Sequence, residues 1–172
     1  MNKNRHRWSG LMTAIAIAVT ATVAAKAQAS IPKVEVTVQA HKELVRLDAS
    51  GKKTVTLEPA AEAAAGDVIV YTLRATNSGT GPALSPRVED PIPAGTVLVL
   101  DSVAKDGSSI EASLDGGKTW QPFPASVTRK NDRGAEETVP APAELYTTLR
   151  WILNGPLQPG DGRDVSFKVR IR

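Results

Sequence analysis

Val165-Ser166-Phe167-Lys168-Val169-Arg170-Ile171 decides the fold class. Apolar side chains fall at every second position, with Ser166, Lys168 and Arg170 between them. That is the period of a strand with one face buried and one face in water. Thr147 to Leu153 repeats it, with Leu149, Trp151 and Leu153 sharing a face. In Val68 to Asn77, Ile69, Tyr71, Leu73 and Ala75 point one way and Val68, Val70, Thr72, Arg74 and Thr76 the other. Lys33 to Gln39 alternates as strictly, which predicts a half-buried strand carrying Val34, Val36 and Val38 inward. Tyr71, Trp151 and Phe167 are therefore expected in one core between two sheets.

Shorter candidates fill the gaps: Glu43 to Leu47 and Lys53 to Leu57 around the turn Asp48-Ala49-Ser50-Gly51, then Leu84 to Glu89 and Thr96 to Leu100. Ser108 to Ser113 and Lys118 to Phe123 flank Leu114-Asp115-Gly116-Gly117, a hairpin signal. Pro59 to Ala65 is alanine-rich and predicts at most one turn of helix before Gly66-Asp67. Thr128 to Glu144 is charged and ends in Pro140 and Pro142, so it reads as a mobile excursion or the cover of a short hidden strand. Short strands, frequent turn signals and no crossover helix predict an all-β, antiparallel β-sandwich.

The chain has 172 residues, 23% of them charged, and no cysteine. Disulfides, thiolate metal sites and cysteine nucleophiles are thereby excluded. Residues 1–7 are basic, Leu11 to Ala25 is apolar, and Ala27-Gln28-Ala29 precedes Ser30. These are the three parts of a secretory signal, in order. The apolar run of about 15 residues falls short of the roughly 20 that span a bilayer. The expected organisation is a signal peptide over 1–29 and one β-sandwich domain over 30–172, exported to the periplasm, cell surface or medium. Cleavage removes Lys3, Arg5, Arg7 and Lys26 and no acid, so the formal charge falls from +3 to −1. The mature chain then lacks the positive field that nucleic acid needs, and no membrane span is expected after cleavage. It also keeps His41 as its one histidine, which excludes multi-histidine metal sites.

Three segments resemble a known bacterial family. They are Gly66-Asp67-Val68-Ile69-Val70-Tyr71-Thr72-Leu73-Arg74-Ala75-Thr76-Asn77-Ser78-Gly79, Val88-Glu89-Asp90-Pro91-Ile92-Pro93-Ala94-Gly95-Thr96, and Leu149-Arg150-Trp151-Ile152-Leu153-Asn154-Gly155-Pro156-Leu157-Gln158-Pro159-Gly160. In order and spacing they are similar to the conserved-repeat domain of bacterial surface proteins, domain of unknown function eleven. Asn154, inserted before Gly155, departs from that pattern. The resemblance covers residues 66–172 and implies an immunoglobulin-like sandwich on secreted or cell-surface proteins, with no catalytic residue to carry over. The family builds tandem copies, whereas this chain holds one copy with an inserted hairpin and charged loop.

The residues singled out are folding devices first. Asn77 suits a strand end entering positive φ, and Asp90-Pro91 with Pro93-Ala94-Gly95 suits a sharp reversal in which Asp90 caps its own backbone. Ser113 to Trp120 fits the Asp-box pattern S-x-D-x-G-x-T-W, where Asp115 bonds turn amides and Trp120 packs beneath. It occurs once, whereas propeller hydrolases repeat it. Asp101, Asp106 and Asp115 could offer oxygen to calcium, but no D-x-D-x-D-G run writes a cage. His41, beside Lys42 and Glu43, reads as a surface residue. The expectation is a non-catalytic module without cofactor that contacts an envelope or surface protein. The alternative is a small carbohydrate-active or hydrolytic enzyme, or a calcium-dependent carbohydrate-binding module.

Overall fold

The structure, a computed structural model, describes residues 29–172. The expected signal peptide, apart from Ala29, lies outside the described residues. Eleven strands are present: β1 (Val34–Leu47), β2 (Lys53–Pro59), β3 (Val68–Asn77), β4 (Arg87–Pro91), β5 (Thr96–Val99), β6 (Ser108–Ser113), β7 (Gln121–Pro122), β8 (Ser126–Lys130), β9 (Glu136–Pro140), β10 (Thr148–Leu153) and β11 (Gly162–Ile171). Every strand pairing is antiparallel. One sheet runs β2-β1-β3-β11-β5 and the other β4-β10-β6-β7, with β8-β9 as a separate ribbon. The fold is all-β and sandwich-like.

Alternation is what brings the two sheets together. Leu73 and Ala75 of β3, Leu98 of β5 and Val165, Phe167 and Val169 of β11 bury their side chains against Val88 of β4, Ile110 and Ala112 of β6, and Leu149, Trp151 and Leu153 of β10. Trp151 and Phe167 are fully buried, their rings 5.9 Å apart, and Tyr71 stacks on Phe167 at 5.2 Å. The three expected aromatics thus share the interior. Trp151 also donates its indole N–H to the Ala104 carbonyl at 3.0 Å, so its polar edge is satisfied where its rings are dry.

Several local expectations are corrected. Glu43 to Leu47 is the far end of β1 rather than a separate strand, because Ala40-His41-Lys42 contains no breaker and His41, Lys42 and Glu43 are paired on both sides. Of the stretch Pro59 to Ala65, Pro59 ends β2 and the rest forms turns, not helix; the Asp67 carboxylate accepts the Ala64 N–H at 2.8 Å. The strand expected from Lys118 shrinks to Gln121–Pro122, since the Asp-box turn occupies the residues before it. The charged stretch after Ser126 is a regular hairpin. Val127 faces Val139, Arg129 faces Glu137, and the Ala141 N–H donates to the Ala125 carbonyl at its root. Its charges sit across from each other, which is why a scan along the chain sees only a polar run.

Two of the three inward valines of β1 are a further correction. Val36 and Val38 lie opposite the buried Ala75 and Leu73, on the same face, yet both are exposed. On the same face Val34 and Ala40 pack against the core, while Val36 and Val38 between them stay in water.

Candidate functional site

Asn77 ends β3 as a four-way junction. Its side-chain oxygen accepts the N–H of Lys33 at 3.1 Å and of Gly79 at 3.0 Å, while its Nδ2 donates to the carbonyls of Gly81 and Leu157 at 2.7 and 2.8 Å. The amide is fully buried with every bond made. Positive φ, the expected reason for this residue, is not found at Asn77; among the described non-glycine residues it occurs at Ser85 and Asp106. Gly79 has a different role too. A Cβ there would lie 2.3 Å from the Ile31 carbonyl oxygen, so glycine lets residues 31–33 lie across the turn.

Asp115 closes the Asp-box as expected. Its carboxylate accepts the Thr119 N–H at 2.9 Å, the Thr119 hydroxyl at 2.7 Å, the Ser113 hydroxyl at 2.7 Å and the Lys118 N–H at 3.1 Å. Those donors, led by Thr119, hold it far below the ordinary carboxylate range. Trp120 follows, and the guanidinium of Arg150 sits 3.8 Å over its ring. Arg150 is in turn gripped by Glu111 at 2.5 and 2.8 Å and by Glu89 at 3.4 Å. The result is a charged cross-strand row, Glu89–Arg150–Glu111, under an aromatic lid on the outer face of the second sheet. No pattern along the chain announces it, because its members lie on three strands.

Asp90 does not cap a turn. It lies in β4 opposite Leu149, on the inward face, and the reversal starts later, where the N–H and hydroxyl of Thr96 both donate to the Pro93 carbonyl. Burial pushes the Asp90 carboxyl above its ordinary value, and its negative charge adds to the burial that raises the Tyr71 phenol. Tyr146 is buried as well. Its hydroxyl accepts the Ala125 N–H at 2.9 Å, which pins the root of the β8–β9 hairpin to the core.

Two open clefts of about 370 Å³ remain. The first lies on the outer face of the larger sheet and is lined by Glu43, Asp101, Ser102, Lys168 and Arg170 over Val68 and Val99. Within it Lys168 pairs with Glu43, and the Ser102 hydroxyl accepts the Lys168 N–H at 2.7 Å. The second is more apolar, between Leu100, Val103, Phe123, Pro124 and Pro140. Asp101, Asp106 and Asp115 do not converge, and among the described residues no three His, Asp or Glu side chains are grouped to hold a metal. His41 sits mid-strand in β1, between Val70 and Pro59. No helix among the described residues is long and apolar enough to cross a membrane.

No protein-family model, curated protein or solved structure matches this chain. What the geometry adds is a surface. β1 and β2 form a ribbon that leaves the sandwich, and all seven residues of β2 are exposed. Val45, Leu47, Val55 and Leu57 are 53–67% exposed on its outer face, and Val36 and Val38, where β1 pairs with β3, are 42% and 50% exposed on the opposite face. Apolar surface gathered on one face, as at Val45, Leu47, Val55 and Leu57, marks contact sites on soluble proteins.

Proposed function

We propose that this chain is an exported, non-catalytic module with an immunoglobulin-like sandwich over residues 30–172, acting by protein contact at the cell envelope or surface. The observation that carries the reading is the uncovered β1–β2 ribbon. It presents the exposed side chains of Val45, Leu47, Val55 and Leu57 on one face and an unprotected strand edge, with Val36 and Val38 exposed farther along β1, while the interior is devoted to holding the sandwich. The leader-like start supports export. The charged side chains that meet, such as Glu89, Arg150 and Glu111, meet across strands as sheet-stabilising pairs.

Photo-crosslinkers placed at Val36 and Leu57 test it in the producing cell. Adducts to another envelope protein are expected at both sites and not at Arg87, exposed on β4. Turnover of glycans or esters by the purified chain, lost on changing Asp101 or Glu43, overturns the reading in favour of a hydrolytic enzyme.

A further inference from the structure

The free edge of β2 carries its own complement. The Asp48 N–H donates to the Lys52 carbonyl at 3.0 Å, which fixes the phase of the β1–β2 ladder: residues 54, 56 and 58 turn their backbone groups to β1. The N–H and C=O groups of Lys53, Val55 and Leu57 therefore point to the free edge, where no described strand meets them. Of the usual guards of an edge, proline stands only at the last residue, Pro59, and no bulge interrupts the β1–β2 ladder. Beyond Glu43, where β3 stops, β1 and β2 form a two-stranded ribbon, which is marginal in water by itself.

We propose that β2 pairs antiparallel with β2 of a second copy of this chain, about a two-fold axis through Val55. In that register Lys53 and Leu57 of the second copy exchange backbone hydrogen bonds, as do the two Val55 residues. Thr54 then faces Thr56 of the second copy, a favourable cross-strand pair. Lys52 faces Glu58 of the second copy, and by symmetry Glu58 faces Lys52, so the charges match twice. Sliding the strands by two residues in either direction separates both charge pairs, and one of those slides sets Lys53 against Pro59, which has no N–H to give. Val45, Leu47, Val55 and Leu57 share the outer face of the ribbon, since Val45 pairs with Val55 and Leu47 with Lys53. The axis joins this patch to its counterpart. The edge of β1 over residues 34–40 does not offer the same fit: two-fold pairing there drives residues 30–32 of one copy into β2 of the other. This inference stands on the ribbon geometry and needs no functional assignment.

Sedimentation of protein recovered from expression of the full chain, across a concentration series, reads the association. A monomer–dimer equilibrium is expected. Lys52→Glu and Glu58→Lys each replace two attractive pairs by repulsive ones and weaken it about tenfold or more. Mixing the two variants restores dimers, because the mixed pair is complementary at both ends, and the double variant restores them alone. Val55→Pro abolishes association while leaving the thermal midpoint of the monomer in place, since that N–H has no partner within the chain. A chain that stays monomeric throughout overturns the proposal. So does a dimer indifferent to Val55→Pro and to the charge exchanges, which would place the contact elsewhere, the β1 edge included.

Discussion

At the scale of single residues, the interior is decided by side chains whose loss leaves nothing in their place. Trp151 and Phe167 are fully buried between the sheets, so truncating either to alanine opens a large cavity and costs about 3–5 kcal/mol. Asn77→Ala removes no comparable volume, but it deprives two part-buried N–H groups, and two carbonyls in buried bonds, of their partner at once. We expect a loss on the order of 3 kcal/mol, read as a lower urea midpoint with an unchanged slope. Asp90 has the opposite sign. Burial raises its pKa in the folded chain, so the folded state binds the proton more tightly than the unfolded one. The resulting penalty is absent below the unfolded value, grows as pH rises through the interval up to the folded one, and is complete at neutral pH. Asp90→Asn is therefore expected to stabilise the fold at neutral pH, with the gain vanishing in acid below the ordinary carboxylate range. Denaturation of both proteins across that pH interval checks it, and an unchanged or reversed difference would show that the carboxylate finds compensation inside.

At the scale of elements, what the sequence makes legible is the period, and what it hides is the neighbour. β3, β10 and β11 are readable because each buries every second side chain against an opposing sheet. The same alternation in β1 names an inward face correctly but says nothing of whether a sheet lies over it, and Val36 and Val38 end up exposed. The Asp-box could be read because its bonds close within seven residues, whereas Arg150 finds Glu89 and Glu111 only through strand order. Asp90 was obscured by the prolines after it, which look like a turn yet leave Asp90 and Pro91 in β4. The β8–β9 hairpin was hidden because its two valines lie far apart along the chain, on either side of a charged turn. That turn is capped by Asn131, whose side chain accepts the N–H of Arg133 and of Ala135. Arg129 is held in the ladder by Glu137, at 3.2 Å. Trypsin is therefore expected to cut first after Lys130 or Arg133, with the two fragments staying associated through the rung between Ala125 and Ala141. First cuts within β3 or β11, identified by mass, would contradict the strand assignment.

At the scale of the whole molecule, stability is distributed unevenly, and the unevenness follows from the sheets' different widths. β3, β11 and β10 are paired on both sides and covered by the opposing sheet, so their amides can exchange only when the sandwich opens. β2 has one neighbour, no cover on either face and little buried apolar surface to lose. At dilutions where the chain is monomeric, the amides of Thr54 and Thr56, which bond β1, are expected to exchange through local opening, at a free energy well below that of the Leu73, Trp151 and Phe167 amides. Added denaturant then accelerates the core amides steeply and the ribbon amides barely, because local opening exposes almost no new surface. Raising the protein concentration slows Lys53, Val55 and Leu57 selectively if β2 meets its twin. Exchange of ribbon and core with one common free energy in the dilute chain would mean that the ribbon is covered in solution and opens only with the sandwich.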